Sequence, residues 1–173
     1  MEVQAIKNGL HYWLMERRNE AIIQMCTEQG YNLGKQFVER EWGNDKINLE
    51  NICWAQIIIV NMMLNKTWSD MDRDNIFPLY QWDNDDQKRI ATICNEASTF
   101  GRTAGTGVAG AATGLLFGGI VGAVIGGIGG ALFGKNSADN DRQKYYEVLR
   151  KAINAYFDLI EKEMYKQINY VLR

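Results

Sequence analysis

Residues 101–135 read GRTAGTGVAGAATGLLFGGIVGAVIGGIGGALFGK, and within them Gly110, Gly114, Gly118, Gly122, Gly126, Gly130 and Gly134 recur at every fourth position. Residues four apart on an α-helix form a continuous ridge. A ridge without side chains lets a second backbone come close, which is how helices pack inside a bilayer. Leu116, Ile120, Val124, Ile128 and Leu132 repeat with the same period two positions out of phase, about 200° around the helix. Gly119, Ala123, Gly127 and Ala131 form a second small ridge, about 100° from the first. Two adjacent small faces can serve two different neighbours, which suits a head-to-tail ring of identical subunits better than a two-fold pair. A strict four-residue repeat drifts by about 40° per step, so the packed helices should cross rather than run parallel.

Glycine costs roughly 1 kcal/mol relative to alanine in a helix interior in water. Seven on one line would melt an isolated soluble helix, unless close packing or a solvent without water offsets the loss. A flexible linker is the plain alternative, but such linkers are rich in serine and other polar residues. This run carries Leu, Ile, Val and Phe throughout and no charge between Arg102 and Lys135. As one helix, 103–134 would measure about 48 Å, against a hydrocarbon core of about 30 Å. One tilted span fits. Two complete spans, each needing about 20 residues, do not, and a short re-entrant hairpin stays open. Arg102 and Lys135 flank the membrane segment, and further basic residues stand on both sides (Lys88 and Arg89, Arg142 and Lys144), so charge bias assigns no orientation.

The rest of the chain constrains partners. Its 173 residues suit one compact domain with an appended element, and the formal charge of −2 argues against a dedicated nucleic-acid binder. Cys26, Cys53 and Cys94 are widely spaced and odd in number, which fits reduced cytosolic thiols better than a disulfide framework or a zinc site. Met1-Glu2-Val3-Gln4 lacks the basic-then-apolar pattern of a secretory signal, so no export is expected.

Outside the glycine tract, helical periodicity dominates. Val3, Ile6, Leu10, Trp13 and Leu14 predict a first helix reaching Gly30 as its stop. A shorter helix follows with Leu33, Phe37 and Val38 inward, ending at Gly43-Asn44. A third covers about 48–66. Its run Ile57-Ile58-Ile59-Val60 and Met62-Met63-Leu64 is apolar nearly all round and marks the buried centre. An irregular acidic stretch over 67–86 precedes a helix using Ile90, Ile93, Cys94, Ala97 and Phe100. Ser137 or Asp139 can cap a last helix lined by Leu149, Ile153, Tyr156, Phe157, Ile160, Met164, Ile168 and Val171. That stripe needs a covering surface: the N-terminal helices, or a coiled coil between subunits. The expected architecture is all-α. It comprises a helical domain over 1–100, a glycine-zipper membrane segment over 101–135, and a C-terminal amphipathic helix over 136–173 packing on that domain.

Apparent catalytic motifs fail on chemistry. Gly129 to Lys135 nearly spells a phosphate loop, but Asn136 stands where Ser or Thr must hold magnesium. Gly105-Thr106-Gly107-Val108-Ala109-Gly110 fits a dinucleotide fingerprint, yet no acid follows before Asp139. The run Asp70-Met71-Asp72-Arg73-Asp74-Asn75 opens like a calcium loop, but Asn75 and Gln81 replace its Gly and Glu. His11 is the sole histidine and cannot form a histidine-based metal site alone. No metal, cofactor or small-molecule substrate is expected. Trp68, Tyr80 and Trp82 fall in the irregular stretch and suit a membrane interface or a subunit contact.

A small helical domain, the tract at 101–135 and the charged amphipathic helix at 139–173 together resemble the membrane-associated accessory protein of type VI-B CRISPR loci. The resemblance implies a homo-oligomeric ring in the bacterial inner membrane, its soluble parts in the cytosol. Such a pore depolarises an infected cell and slows phage growth beside an RNA-guided RNA nuclease, whose complex or RNA serves as the trigger. That family is also linked to HEPN nucleases, which use Arg, four to six residues, then His. Here Arg150 is followed at that distance by Tyr156, and no histidine lies downstream. Lacking an imidazole base there, the chain is expected to be non-enzymatic. An HEPN-like RNA-processing protein and a membrane-anchored adaptor are the alternatives.

Overall fold

The computed structural model describes residues 2–71, 83–99 and 138–171, and all regular structure in them is helical. The elements are α1 (Glu2–Met25), α2 (Glu28–Trp42), a 3₁₀ turn (Asn44–Lys46), α3 (Leu49–Met71), α4 (Asn84–Thr99) and α5 (Ala138–Val171). The all-α expectation therefore holds for these residues. None of the described helices is long and apolar enough to cross a membrane. The zipper positions Gly110, Gly114, Gly118, Gly119, Gly122, Ala123, Gly126, Gly127, Gly130 and Gly134 lie outside the described residues, as do Arg102 and Lys135. So do Phe100, Ser137, Tyr80 and Trp82.

The 34-residue α5 organises the bundle. Leu149, Ile153, Tyr156, Phe157, Ile160, Met164 and Ile168 are all buried. Their spacing of three and four places them on one face, and α1, α4 and α3 cover it. Contacts fix the directions. Lys7, His11 and Arg18 of α1, and Cys26 just beyond its end, meet Tyr165, Glu161, Asp158 and Tyr146 in turn, so α1 and α5 are antiparallel. Glu96 of α4 pairs with Lys151 while Asp83 and Asp86 act on Lys166, so α4 is antiparallel to α5 as well. Gln56 and Asn61 of α3 meet Tyr145 and Tyr156, which makes α3 parallel to α5. Residues 51–57 of α3 are buried without a break, as its all-round apolar sequence implies.

Several local readings need correction. Gly30 does not stop α1, which ends at Met25. Thr27 caps α2 instead, its Oγ1 accepting the Gly30 N–H at 3.0 Å while donating to Gln24 O at 2.8 Å. A Cβ on Gly30 would stand 2.5 Å from the carbonyl oxygens of Gln24 and Met25. The glycine is there because the end of α1 occupies the space. Leu33 is 45% exposed; the inward line of α2 is Gly30, Gly34 and Val38, four apart, with Gly34 against Ile52 and Gln56 of α3. The expected irregular stretch is shorter, because α3 runs to Met71 and α4 starts at Asn84. Trp68 belongs to the core, its ring edge-on to Trp13 at 4.9 Å. At α5, the helix begins at Ala138, so Asp139 lies inside its first turn.

Candidate functional site

One end of the bundle gathers the C-termini of α1 and α4 with the N-termini of α3 and α5, as the antiparallel and parallel pairings require. Residues 100–137 connect Thr99 to Ala138, both at this end.

A ladder of aromatic and polar groups fixes α5 here. Arg142 pairs with Glu28 at 3.5 Å, its guanidinium 5.4 Å above the Tyr31 ring. Tyr31 meets Tyr145 edge-on at 5.5 Å. The Tyr145 hydroxyl donates to Gln56 Oε1, and Gln56 Nε2 donates to Met25 O at 3.2 Å. Met25 O belongs to the last turn of α1, whose carbonyls lack helical partners. Gln56 is wholly buried, and an unpartnered amide there would be costly. Both ends of its amide are satisfied, so one side chain joins α1, α3 and α5. Burial drives the Tyr145 phenol well above its usual range, with the neighbouring thiols adding to it. It therefore stays a neutral donor.

The residues singled out for an HEPN-like reading do not converge. Arg150 is exposed, in a shallow groove with Arg89, Ile93, Glu147, Lys151 and Asp158. Tyr156 is buried on another face of α5, its hydroxyl donating to Asn61 Oδ1 at 2.8 Å. Six residues on a helix turn through about 600°, which separates the two side chains. In the groove, Lys151 is held by Glu96 at 2.9 Å and Asp158 by Arg18 at 2.6 Å.

His11 lies far along the chain from Arg150, and the fold brings it to an acid instead. Its Nδ1 stands 2.5 Å from Glu161 Oε1, which also accepts the Tyr165 hydroxyl at 2.8 Å. Burial, and then that hydrogen bond and the Glu161 charge, push the Tyr165 phenol up to about 12. The chain order hides this cluster, since 150 residues separate His11 from Glu161. Only the antiparallel packing of α1 on α5 reveals it. Among the described residues, no group of three or more His, Cys, Asp and Glu side chains could hold a metal ion.

No family model, curated protein or solved structure matches the chain.

Proposed function

We propose that this protein is the subunit of a homo-oligomeric membrane pore, non-enzymatic, whose helical body stands on the cytosolic face of a bacterial inner membrane. Residues 101–135 enter the bilayer. The unbroken four-residue glycine repeat carries the reading, because no soluble helix gains from a bare position at every fourth residue.

The helical body supports a specific topology for that tract. Thirteen residues of α5 precede Lys151 and three residues of α4 follow Glu96, so the two ends are offset by about 15 Å along the bundle. A single crossing would separate them by at least the hydrocarbon thickness, about 30 Å. With α4 and α5 packed together, the tract has to return to the side from which it left. A re-entrant hairpin meets this requirement. Halving 103–134 gives two limbs of about 16 residues, each about 24 Å long. They are short for a full span, and local thinning of the bilayer accommodates the difference. The two small ridges then have separate tasks: one packs limb on limb, the other packs subunit on subunit. The hairpin mouths line a central channel, since exposed backbone and Thr113 tolerate water better than the Leu-Ile ridge does.

In this reading the protein depolarises an infected cell, with an RNA-guided RNA nuclease complex or its RNA as the trigger. Images of detergent-purified particles test it together with ion flux in liposomes. A ring with a central channel and a flux is the expected result. A monodisperse monomer that leaves liposomes tight in the presence of the trigger refutes it.

A further inference from the structure

The bundle holds two thiols in direct contact. Cys53 on α3 and Cys94 on α4 are both wholly buried, and their sulfurs are 3.0 Å apart. A disulfide needs about 2.05 Å, so closure asks for a movement of about 1 Å, within reach of small side-chain rotations. A second contact beside the pair fixes the same register: the amide of Asn95, next to Cys94, faces the carboxylate of Glu50, one turn before Cys53. Cys26, the third cysteine, is engaged elsewhere, its thiol directed at Tyr146 O at 3.8 Å.

We propose that Cys53 and Cys94 are a redox modification site, closing to a reversible intramolecular disulfide that ties α3 to α4. The inference is independent of the membrane reading and stands or falls without it.

The reduced pair is chemically quiet while the bundle is closed. Burial, and then the Cys53 hydrogen bond, raise the Cys94 thiol well above its usual range, and only thiolates attack disulfides. Reaction therefore needs α4 to lift from α3, a local opening that exposes both sulfurs. The oxidant is a small-molecule disulfide of the glutathione class. Cys94, losing its proton, attacks one sulfur of that disulfide. A mixed disulfide forms and one small thiolate departs. Cys53, deprotonated in turn, attacks the Cys94 sulfur and expels the second thiolate. Two protein thiols have given up two protons and two electrons, and one small disulfide has become two small thiols. The native register then holds the new bond, because the sulfurs already face each other when α4 returns.

The linked loop spans 41 positions and joins the helix that leads into residue 100 to the buried centre of the domain. Oxidation would thus fix the platform from which residues 100–137 depart.

The experiment equilibrates the full chain, folded, in oxidised glutathione, blocks free thiols in denaturant and maps peptides without reduction. The expected product is a Cys53–Cys94 linked peptide from a chain lighter by two hydrogens, with Cys26 alkylated. Its melting temperature rises by about 10 °C and returns on reduction by dithiothreitol. Cys53→Ala and Cys94→Ala should each abolish the shift. Recovery of both cysteines alkylated, or linkage of either to Cys26 or to a second chain, overturns the proposal. The wild-type peptide map decides even if a variant fails to fold.

Discussion

Three glycines in the helical body make a graded test of its packing. Gly9, Gly34 and Gly30 are all helical, and each is replaced by alanine. Around Gly9 nothing lies within 4 Å of an added Cβ, so Gly9→Ala collects the helix-propensity and unfolded-chain gain of about 1 kcal/mol. At Gly34 the new methyl would meet Gln56 Cγ at 2.9 Å, Ile52 Cγ2 at 3.0 Å and Ile52 O at 3.1 Å. The first of these can yield, but the carbonyl of α3 cannot without a helix shift. The intrinsic gain and an overpacking cost of about 1–3 kcal/mol leave a net loss of about 1 kcal/mol. At Gly30 the contacts are all backbone: 2.5 Å to Gln24 O, 2.5 Å to Met25 O and 2.7 Å to Met25 Cα. Relief requires α2 to move off the end of α1, which disturbs the Gln56 bond to Met25 O. The cost there should reach the top of the overpacking range, for a net loss of about 2–3 kcal/mol. Denaturant melts followed by circular dichroism read all three. Midpoints should rank Gly9→Ala above wild type, then Gly34→Ala, then Gly30→Ala. A Gly30→Ala protein as stable as wild type would refute the close approach of α2 to α1.

The polar ladder should behave as a coupled unit. Tyr145→Phe leaves the buried Gln56 Oε1 without its donor and should cost about 1–3 kcal/mol, while Tyr145→Phe with Gln56→Leu should recover much of that loss; strictly additive losses in a double-mutant cycle would deny the coupling. Tyr165 supplies an alkaline signature. Its folded pKa, about 12, lies above the ordinary phenol value of 10.0, so the native state holds the proton more tightly. That contribution is complete below pH 10 and is lost as pH rises through about 12. Tyr165→Phe should flatten the stability profile in that window, measured by urea midpoints at successive pH values. An unchanged profile would show the phenol to be uncoupled from folding. In the glycine tract, Gly118→Leu with Gly122→Leu should separate the subunits and stop ion leakage; a ring of unchanged size in detergent that still leaks counts against ridge packing.

Much of the helical body was legible because its signals are local and repeated. The stripe on α5 from Leu149 to Ile168 has the spacing of a single buried face, and the apolar run of α3 marks a helix covered on several sides. Errors arose where a residue has two uses. Glycine both ends helices and admits close neighbours, and Gly30 serves the second purpose. Leu33 reads as core from its hydrophobicity, but Gly30 and Gly34 take the inward line because α1 and α3 come too near for a larger side chain. The Asp-rich approach to α4 hides the length of α3. Long-range pairs left no sequence trace at all: His11 with Glu161, Cys53 with Cys94, and Tyr145 with Gln56 depend on which helices neighbour which. Arg150 and Tyr156 have a motif-like spacing, yet the helical turn between them sends one to solvent and the other to the core.

Topology is the most direct test of the membrane account. Protease-sensitive tags at the N- and C-termini, on opposite sides of residues 101–135 in sequence, are digested in sealed inverted vesicles and in spheroplasts. The account predicts that both tags are cut in inverted vesicles and both are protected in spheroplasts. Tags cut from opposite faces would contradict the hairpin and require α4 and α5 to part in the membrane.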